Sequence, residues 1–441
     1  MTVSTPELAA ELRSWVDARR GELASFLSAY IRQRSVNPGR ATSADEISGE
    51  ADAQHWLARQ VEEFGLGRAD MWEVAPGRPN LAWTIGPDDA GPGYGIVFNG
   101  HADTVGVSAA QRDEWDGDPF GGQIRGGRVT GRGAADMKGG IAAFAWAARA
   151  LREMGVPLRR KAAFTVTVAE ETAQSDLGIL ALIGRGYRAP AVVCAEPTDL
   201  HICPAGLGII YFRVTVRGKS AHVASTAGSM VALSAFEAGK SDTLIGVDAI
   251  TLTSGILTAL RTVDERWRAR PSHPLLPAGV GRSVCPILVS GGNSRAEIAD
   301  ECVAEFAVSF DPADDVQTAM SEIRAAIDEV TARSRWLRAH PPEIALPIVH
   351  RLLPPLLTDP AEESVRRLAR PLAGQHGPEV PLGAMPGPCD ANVLAEAGQR
   401  AVVFGPGRLG DGAHGSNEHV NIDDLATACW IDACMIAEFC G

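Results

Sequence analysis

Between residues 50 and 200, short continuously apolar runs alternate with helical ones, and few folds satisfy that rhythm. Residues 51–64 are helical, 95–99 (GIVFN) have strand length, 139–154 (GGIAAFAWAARALREM) are helical, and 162–168 (AAFTVTV) and 191–194 (AVVC) are again strand-like. A strand without polar alternation must be covered on both faces, so the rhythm predicts a mostly parallel sheet between helices, an α/β/α fold. From about residue 205 the texture changes. Residues 209–217 (IIYFRVTVR) alternate as an antiparallel strand with one wet face. A helix over 249–260, a strand pair near 285–290 and 302–310, and a helix over 316–333 follow. A helix over 360–372 and a strand over 401–404 restore the first texture. The expectation is one α/β domain, residues 1–204 and 350–441, interrupted by a smaller α+β domain at 205–349.

In an open parallel sheet, ligands bind beyond the carboxyl ends of the strands. Run 95–99 leads into Gly100-His101-Ala102-Asp103, and run 162–168 leads through Ala169 into Glu170-Glu171. Run 191–194 leads through Ala195 into Glu196, and run 401–404 leads through a glycine loop to His414. Asp136 adds a carboxylate where a helix begins. Histidine and carboxylate are the side chains that bind zinc-like cations. Each residue has a plainer reading: Asp136 as a helix N-cap, His101 as a hydrogen-bonded structural histidine, Glu170-Glu171 as a solvated loop, Glu196 as a turn residue, His414 as a loop histidine. Jointly the plainer readings fail. An apolar sheet edge gains no stability from carboxylates that repel one another, whereas a dication supplies the missing charge.

Spacing adds mechanical sense. His101 and Asp103 are two apart, so on extended backbone they share a side, and Asp103 can hold the second ring nitrogen of His101. Of Glu170 and Glu171, one can bind metal while the other stays free as a proton shuttle. Two cations about 3.5–4 Å apart, bridged by a carboxylate and a water, yield a hydroxide nucleophile at neutral pH, and Asp136 is the natural bridge.

Composition narrows the function. The chain carries 41 basic and 54 acidic residues, a net charge of −13 with no Lys/Arg block, which argues against a nucleic-acid or anionic-membrane partner. No apolar run reaches the roughly 18–20 residues of a membrane span. Residues 1–20 read as an amphipathic helix rather than an export signal. The eight cysteines form no C-x-x-C pair and are expected to be reduced, buried thiols. These features predict a cytoplasmic protein. Gly405–Gly410 satisfies G-x-G-x-x-G, yet no helix pattern follows, so a dinucleotide site is rejected. The acidic run Asp113–Asp118 lacks the spacing of a calcium loop and reads as solvated, with Trp115 and Phe120 packing down.

The segments His101-x-Asp103, Gly133-x-x-Asp136-Met-Lys-Gly-Gly, Glu170-Glu171, Glu196-Pro197-Thr198, Ser220-Ala-His222 and Ala413-His414-x-x-Asn417-Glu418 occur in this order over nearly the whole chain. Together they resemble the dinuclear-zinc amidohydrolase and peptidase family that includes acetylornithine deacetylase, succinyl-diaminopimelate desuccinylase, aminoacylase and glutamate carboxypeptidase. Cys389-Asp390-Ala-Asn392 and Val403–Gly407 resemble that family's penultimate strand region. The resemblance implies a zinc-peptidase-like catalytic domain with an inserted ferredoxin-like lid and dimerisation domain. It makes Asp136 the bridging ligand, with His101 and Glu196 completing one metal and Glu171 and His414 the other. Glu170 becomes the general base, Asp103 orients His101, and His222 reaches across a homodimer to stabilise the oxyanion. Zinc is the leading ion, and the same ligands suit cobalt or manganese. The implied substrate is a small N-acyl amino acid or related amine. A dipeptidase or carboxypeptidase activity, or a metal-retaining homologue with altered or lost hydrolysis, is the alternative.

Two places depart from the family pattern. Ala296 stands where its G-G-x-x-x-N-x-x-P-D segment has asparagine, and Ser309 stands where an arginine is common. Those side chains help relatives hold a substrate carboxylate, and an arginine fork is hard to replace, so the usual carboxylate grip is not expected here. Arg282 and Arg295 are the candidate substitutes, with a solvent-facing arginine as the plainer reading of each. Residues 223–245 also form a longer connection than the family's, either shaping the pocket or lying passively on the surface.

Overall fold

The computed structural model of the chain describes residues 5–41, 49–88, 91, 93–224, 230–240, 244–292, 294–347, 351–373 and 381–441. The expected boundary at 349–350, and residues 225–229 and 241–243 of the long connection, lie outside the described residues. The chain divides into two units, Met1–Gly206 with Leu356–Gly441, and Leu207–Pro355.

In the first unit the large sheet runs Asp70–Ala75, Arg78–Ile85, Lys161–Thr167, Tyr94–His101, Val192–Cys194, Ala401–Val403, Ile202–Gly206, Leu356–Leu357, with Leu382–Met385 also paired to Ile202–Gly206. The four strands from Lys161–Thr167 to Ala401–Val403 are mutually parallel. Both flanks are antiparallel, so the sheet is mixed rather than mostly parallel. Sequence reasoning missed the hairpin Asp70–Ile85 for a physical reason. Its outer strand, Asp70–Ala75, is an edge with no fully buried residue and therefore carries no apolar run.

Helix Gly139–Glu153 is almost wholly buried, and its alanines let it lie close to its neighbours. Phe144 sits 5.8 Å from the Trp83 and Phe164 ring centroids and 6.0 Å from that of Phe98. At its start, a Cβ on Gly140 would stand 1.9 Å from the carbonyl oxygen of Ala195. Only glycine lets the helix start press against the chain that carries Glu196. The amphipathic N-terminus is two helices, Pro6–Asp17, capped by Thr5, and Arg20–Arg32.

The second unit has the order Ser283–Gly291, Glu301–Phe310, Gly208–Arg217, Glu343–Ala345, antiparallel throughout. With helices Ala249–Arg268 and Val316–Arg333 the chain order is β-α-β-β-α-β, the ferredoxin-like arrangement. Phe212 and Phe306 stack at 4.9 Å within a core that includes Ile256, Leu260 and Ile323. All eight cysteines are free; seven are buried as expected, while Cys285 is exposed on the edge strand. Among the described residues, no helix is long and apolar enough to cross a membrane.

Candidate metal centre

Because four neighbouring strands run parallel, their carboxyl ends open on one edge, and the chemistry-bearing side chains gather there. Pairing continues just past the strands, with Ala102 N donating to Thr167 O (2.8 Å) and Ala195 N to Asn99 O (2.9 Å). The residues beside His101 and Glu196 are thereby fixed by sheet register, while Glu170 follows the end of strand Lys161–Thr167 by three residues. His101 is 1% exposed. Its Nε2 lies 3.2 Å from Asp136 Oδ1, 3.6 Å from Glu196 Oε1 and 3.8 Å from Glu170 Oε2. His414, 52% exposed, places Nε2 3.1 Å from Glu171 Oε2 and 3.4 Å from Asp136 Oδ2. The two oxygens of Asp136 thus face two different imidazoles. One ligand atom each from His101, Asp136 and Glu171 lies within 4.8 Å of the others.

The N-cap reading of Asp136 fails, since the N-cap position of the helix is Lys138 and the Asp136 carboxylate faces His101 and His414 instead. Asp103 is fully buried and differs from expectation in detail. Its main-chain oxygen, not its carboxylate, is the near partner of His101 Nδ1, at 2.8 Å against 3.7 Å. The carboxylate instead accepts from Asn37 Nδ2 (2.7 Å), Glu171 N (3.2 Å) and Glu170 N (3.4 Å), anchoring the turn that presents the two glutamates. Backbone strain concentrates here. Ala169 (φ 72°), Ala173 (φ 53°) and His414 (φ 59°) hold left-handed conformations that non-glycine residues rarely adopt.

Charge balance tests whether cations fit. Burial pushes the carboxyls of Glu170 and Glu196 well above the usual range, His101 opposing and neighbouring carboxylates adding to the rise. Burial disfavours the charged form of His101, yet Glu196, Asp136, Glu170 and Asp103 together hold its pKa well up. Hydrogen bonds to Asp136 and Glu171 raise His414 to about 10. Oε1 of Glu171 is buried, and among the described residues nothing hydrogen-bonds to it. Carboxylates in excess of imidazoles, with an unpartnered oxygen aimed inward, are a donor set that divalent cations satisfy.

Behind the ligand cluster lies a carboxylate that the strand-end pattern does not reveal. Asp390 is buried and accepts from Asn99 Nδ2 (3.2 Å) and Thr167 Oγ1 (3.1 Å), with burial raising its carboxyl to about 6. Its one signal was the Cys389-Asp390-Ala-Asn392 segment. Residues Asp113–Asp118 do pack Trp115 down, in a small cluster with Phe120, Val36 and Val107. His222 belongs to the second unit, exposed, on a bridge to Glu297, with its Nδ1 accepting from Ala224 N at 3.2 Å. Arg282 is not solvent-facing. It is ion-paired to Asp314 (2.8 Å) and Asp311 (3.6 Å), whereas Arg295 and Ala296 are exposed.

A histidine and carboxylate cluster at the carboxyl ends of parallel strands is the donor set of a metal centre, the kind of site that metal-dependent hydrolases use. Residues 97–438 match the model of peptidase family M20/M25/M40, and the chain belongs to that family. It is a metal-dependent amidohydrolase. Similar proteins include an N-formyl-4-amino-5-aminomethyl-2-methylpyrimidine deformylase of Halalkalibacterium halodurans, 27% identical over 98% of this chain and 97% of the relative. The like-named protein of Bacillus subtilis is 28% identical over 95% and 94%. Human carnosine dipeptidase 1 shares the fold at a TM-score of 0.70, with 16% identity over 98% of this chain and 99% of that one.

Proposed function

We propose that the chain hydrolyses the amide of a small N-acyl amino acid or related N-acyl amine. The observation that carries this reading is Asp136, with Oδ1 3.2 Å from one imidazole and Oδ2 3.4 Å from another, the disposition of a carboxylate shared by two cations. In this reading His101, Asp136 and Glu196 hold one divalent ion, and Asp136, Glu171 and His414 the other, zinc first, with cobalt or manganese also suited. Held there, such a pair lowers the pKa of water and polarises an amide carbonyl. Glu170 takes the proton from the attacking water and returns it to the leaving nitrogen. The main-chain oxygen of Asp103 fixes His101 with Nε2 toward the carboxylates, and its carboxylate steadies Glu170 and Glu171. His222 supplies the oxyanion donor across a homodimer formed through the inserted unit. Support for that assembly comes from the edge strand Ser283–Gly291, which leaves Ile287, Leu288 and Val289 roughly half exposed.

Within this class we favour a small acyl group on an amine that lacks an α-carboxylate. Ala296 and Ser309 offer no fork, and Arg282 is engaged by Asp314 and Asp311. Two relatives similar over nearly their whole length are deformylases of an N-formyl aminomethylpyrimidine, which supports this reading. The buried thiols support a reducing, cytoplasmic setting.

Glu170→Gln should lower kcat by about 10²–10⁴-fold while metal content persists. A near-wild-type rate would remove Glu170 from the base role. A panel of N-formyl and N-acetyl amines, N-acyl amino acids and dipeptides should give its highest kcat/KM on the amines without carboxylate. Preference for dipeptides would overturn the substrate reading.

A further inference from the structure

We propose that Glu418 and Arg132 form a buried clamp that fixes Asp136 and His414 relative to each other, Arg132 acting as a positioning residue for the ion held by Asp136, Glu171 and His414, and Glu418, through Asp136, as one for both ions. The inference rests on the metal reading above. Glu418 is 0% exposed and Arg132 1%. Gly131 N donates to the main-chain oxygen of Glu418 at 2.8 Å, and strand His419–Asn421, which follows, pairs with Arg128–Thr130. The two segments that lead to Asp136 and away from His414 are therefore stitched together before any side chain acts.

The Glu418 carboxylate then accepts four hydrogen bonds. Three come from the loop that presents Asp136: Gly133 N (2.9 Å), Ala135 N (2.9 Å) and Asp136 N itself (3.0 Å). Main-chain N–H groups in such a turn form a concavity that attracts an anion, and here the chain supplies its own. The fourth comes from Arg132 Nη1 at 2.5 Å, and the same guanidinium donates through Nη2 to Gly415 O at 2.9 Å. Gly415 directly follows His414. On the other side of His414, Gly412 (φ 92°) lies so near Glu418 that a Cβ would stand 2.9 Å from the Glu418 Cα. One carboxylate–guanidinium pair thus holds both loops.

His101 and Glu196 do not depend on it. His101 ends a strand, and Glu196 follows Ala195, whose N–H is bonded to Asn99 O. The two ion positions should therefore respond differently. Arg132 bonds the His414 loop directly through Gly415 O, while the three N–H groups of the Asp136 loop reach Glu418 without it, so Arg132→Lys, which keeps charge but loses the fork, should weaken one ion by about 10–100-fold and leave the other at wild-type affinity. Glu418→Gln loosens Asp136, which both ions share, and should weaken both.

The test equilibrates full-length protein with cobalt(II) in graded chelator buffers, reading stoichiometry by mass spectrometry of the metal and site occupancy by visible absorption. One retained and one weakened ion in Arg132→Lys, against two weakened ions in Glu418→Gln, is the expected pattern. Parallel weakening of both ions in Arg132→Lys, or no weakening in either variant, overturns the clamp. Should Arg132→Lys fail to fold, Glu418→Gln decides alone, unchanged affinity of both ions being the contrary result. Wild-type protein that takes up no cobalt defeats the metal reading itself, a different outcome from any of these.

Discussion

At the scale of single residues, the division of labour between Asp103 and His101 shows how far spacing can be trusted. Two positions apart on extended backbone does bring them to one side, but the main-chain oxygen of Asp103 reaches His101 Nδ1 first, and its carboxylate is left to gather the N–H groups of Glu170 and Glu171. Asp103→Asn replaces one acceptor oxygen by a donor facing those N–H groups. It should cost about 1–3 kcal/mol of stability and lower kcat/KM by about 10–100-fold. Thermal melting and steady-state kinetics check both, and an unchanged kcat/KM would detach Asp103 from the site. His101, Glu170, Glu171, Glu196 and His414 were legible because each follows an apolar run at a sheet edge. Asn37, which holds Asp103 from 66 residues away, was not, because a loop asparagine leaves no periodic signal.

Among the elements, helix Ile422–Cys440 is buried along nearly its whole length and encloses Asp432, whose Oδ1 has no hydrogen-bond partner among the described residues. Burial pushes that carboxyl well above its ordinary value. A raised pKa means the folded state holds the proton more tightly, so stability is present below the unfolded pKa of about 4 and is lost as pH rises toward the folded value. Asp432→Asn should therefore raise the melting temperature at pH 8 and converge with wild type near pH 4; an equal loss at both pH values would contradict this. Gly140→Ala should destabilise the fold by at least about 1–3 kcal/mol, since its methyl meets the Ala195 carbonyl, and a chemical-denaturation curve reads this directly. Elements with sustained periodicity were readable from sequence, helix Val316–Arg333 to the residue. Helix Ala249–Arg268 runs past the expected end at Leu260 because its buried stripe continues through Val263 and Trp267 beneath a charged outer face.

For the molecule as a whole, the interrupted rhythm was enough to reveal an α/β unit with an α+β insertion, whereas the antiparallel flanks stayed hidden: the edge strand Asp70–Ala75 has no fully buried residue, and the buried strands Arg78–Ile85 and Ile202–Gly206 have their apolar runs broken by Pro79, Asn80 and Pro204. The insertion's own edge strand carries the assembly prediction. Wild-type protein should sediment as a dimer, and the pair Ile287→Asp with Val289→Lys should yield folded monomers, whereas a dimer that survives both changes would place the contact elsewhere. In the proposed mechanism His101, Asp136, Glu171, Glu196 and His414 together hold a pair of divalent ions. Metal analysis of protein purified without chelator measures that pair. About two divalent cations per chain are expected, falling when His101 or His414 is replaced by alanine; a chain that carries none and takes up none on titration with zinc, cobalt or manganese would refute the metal pair.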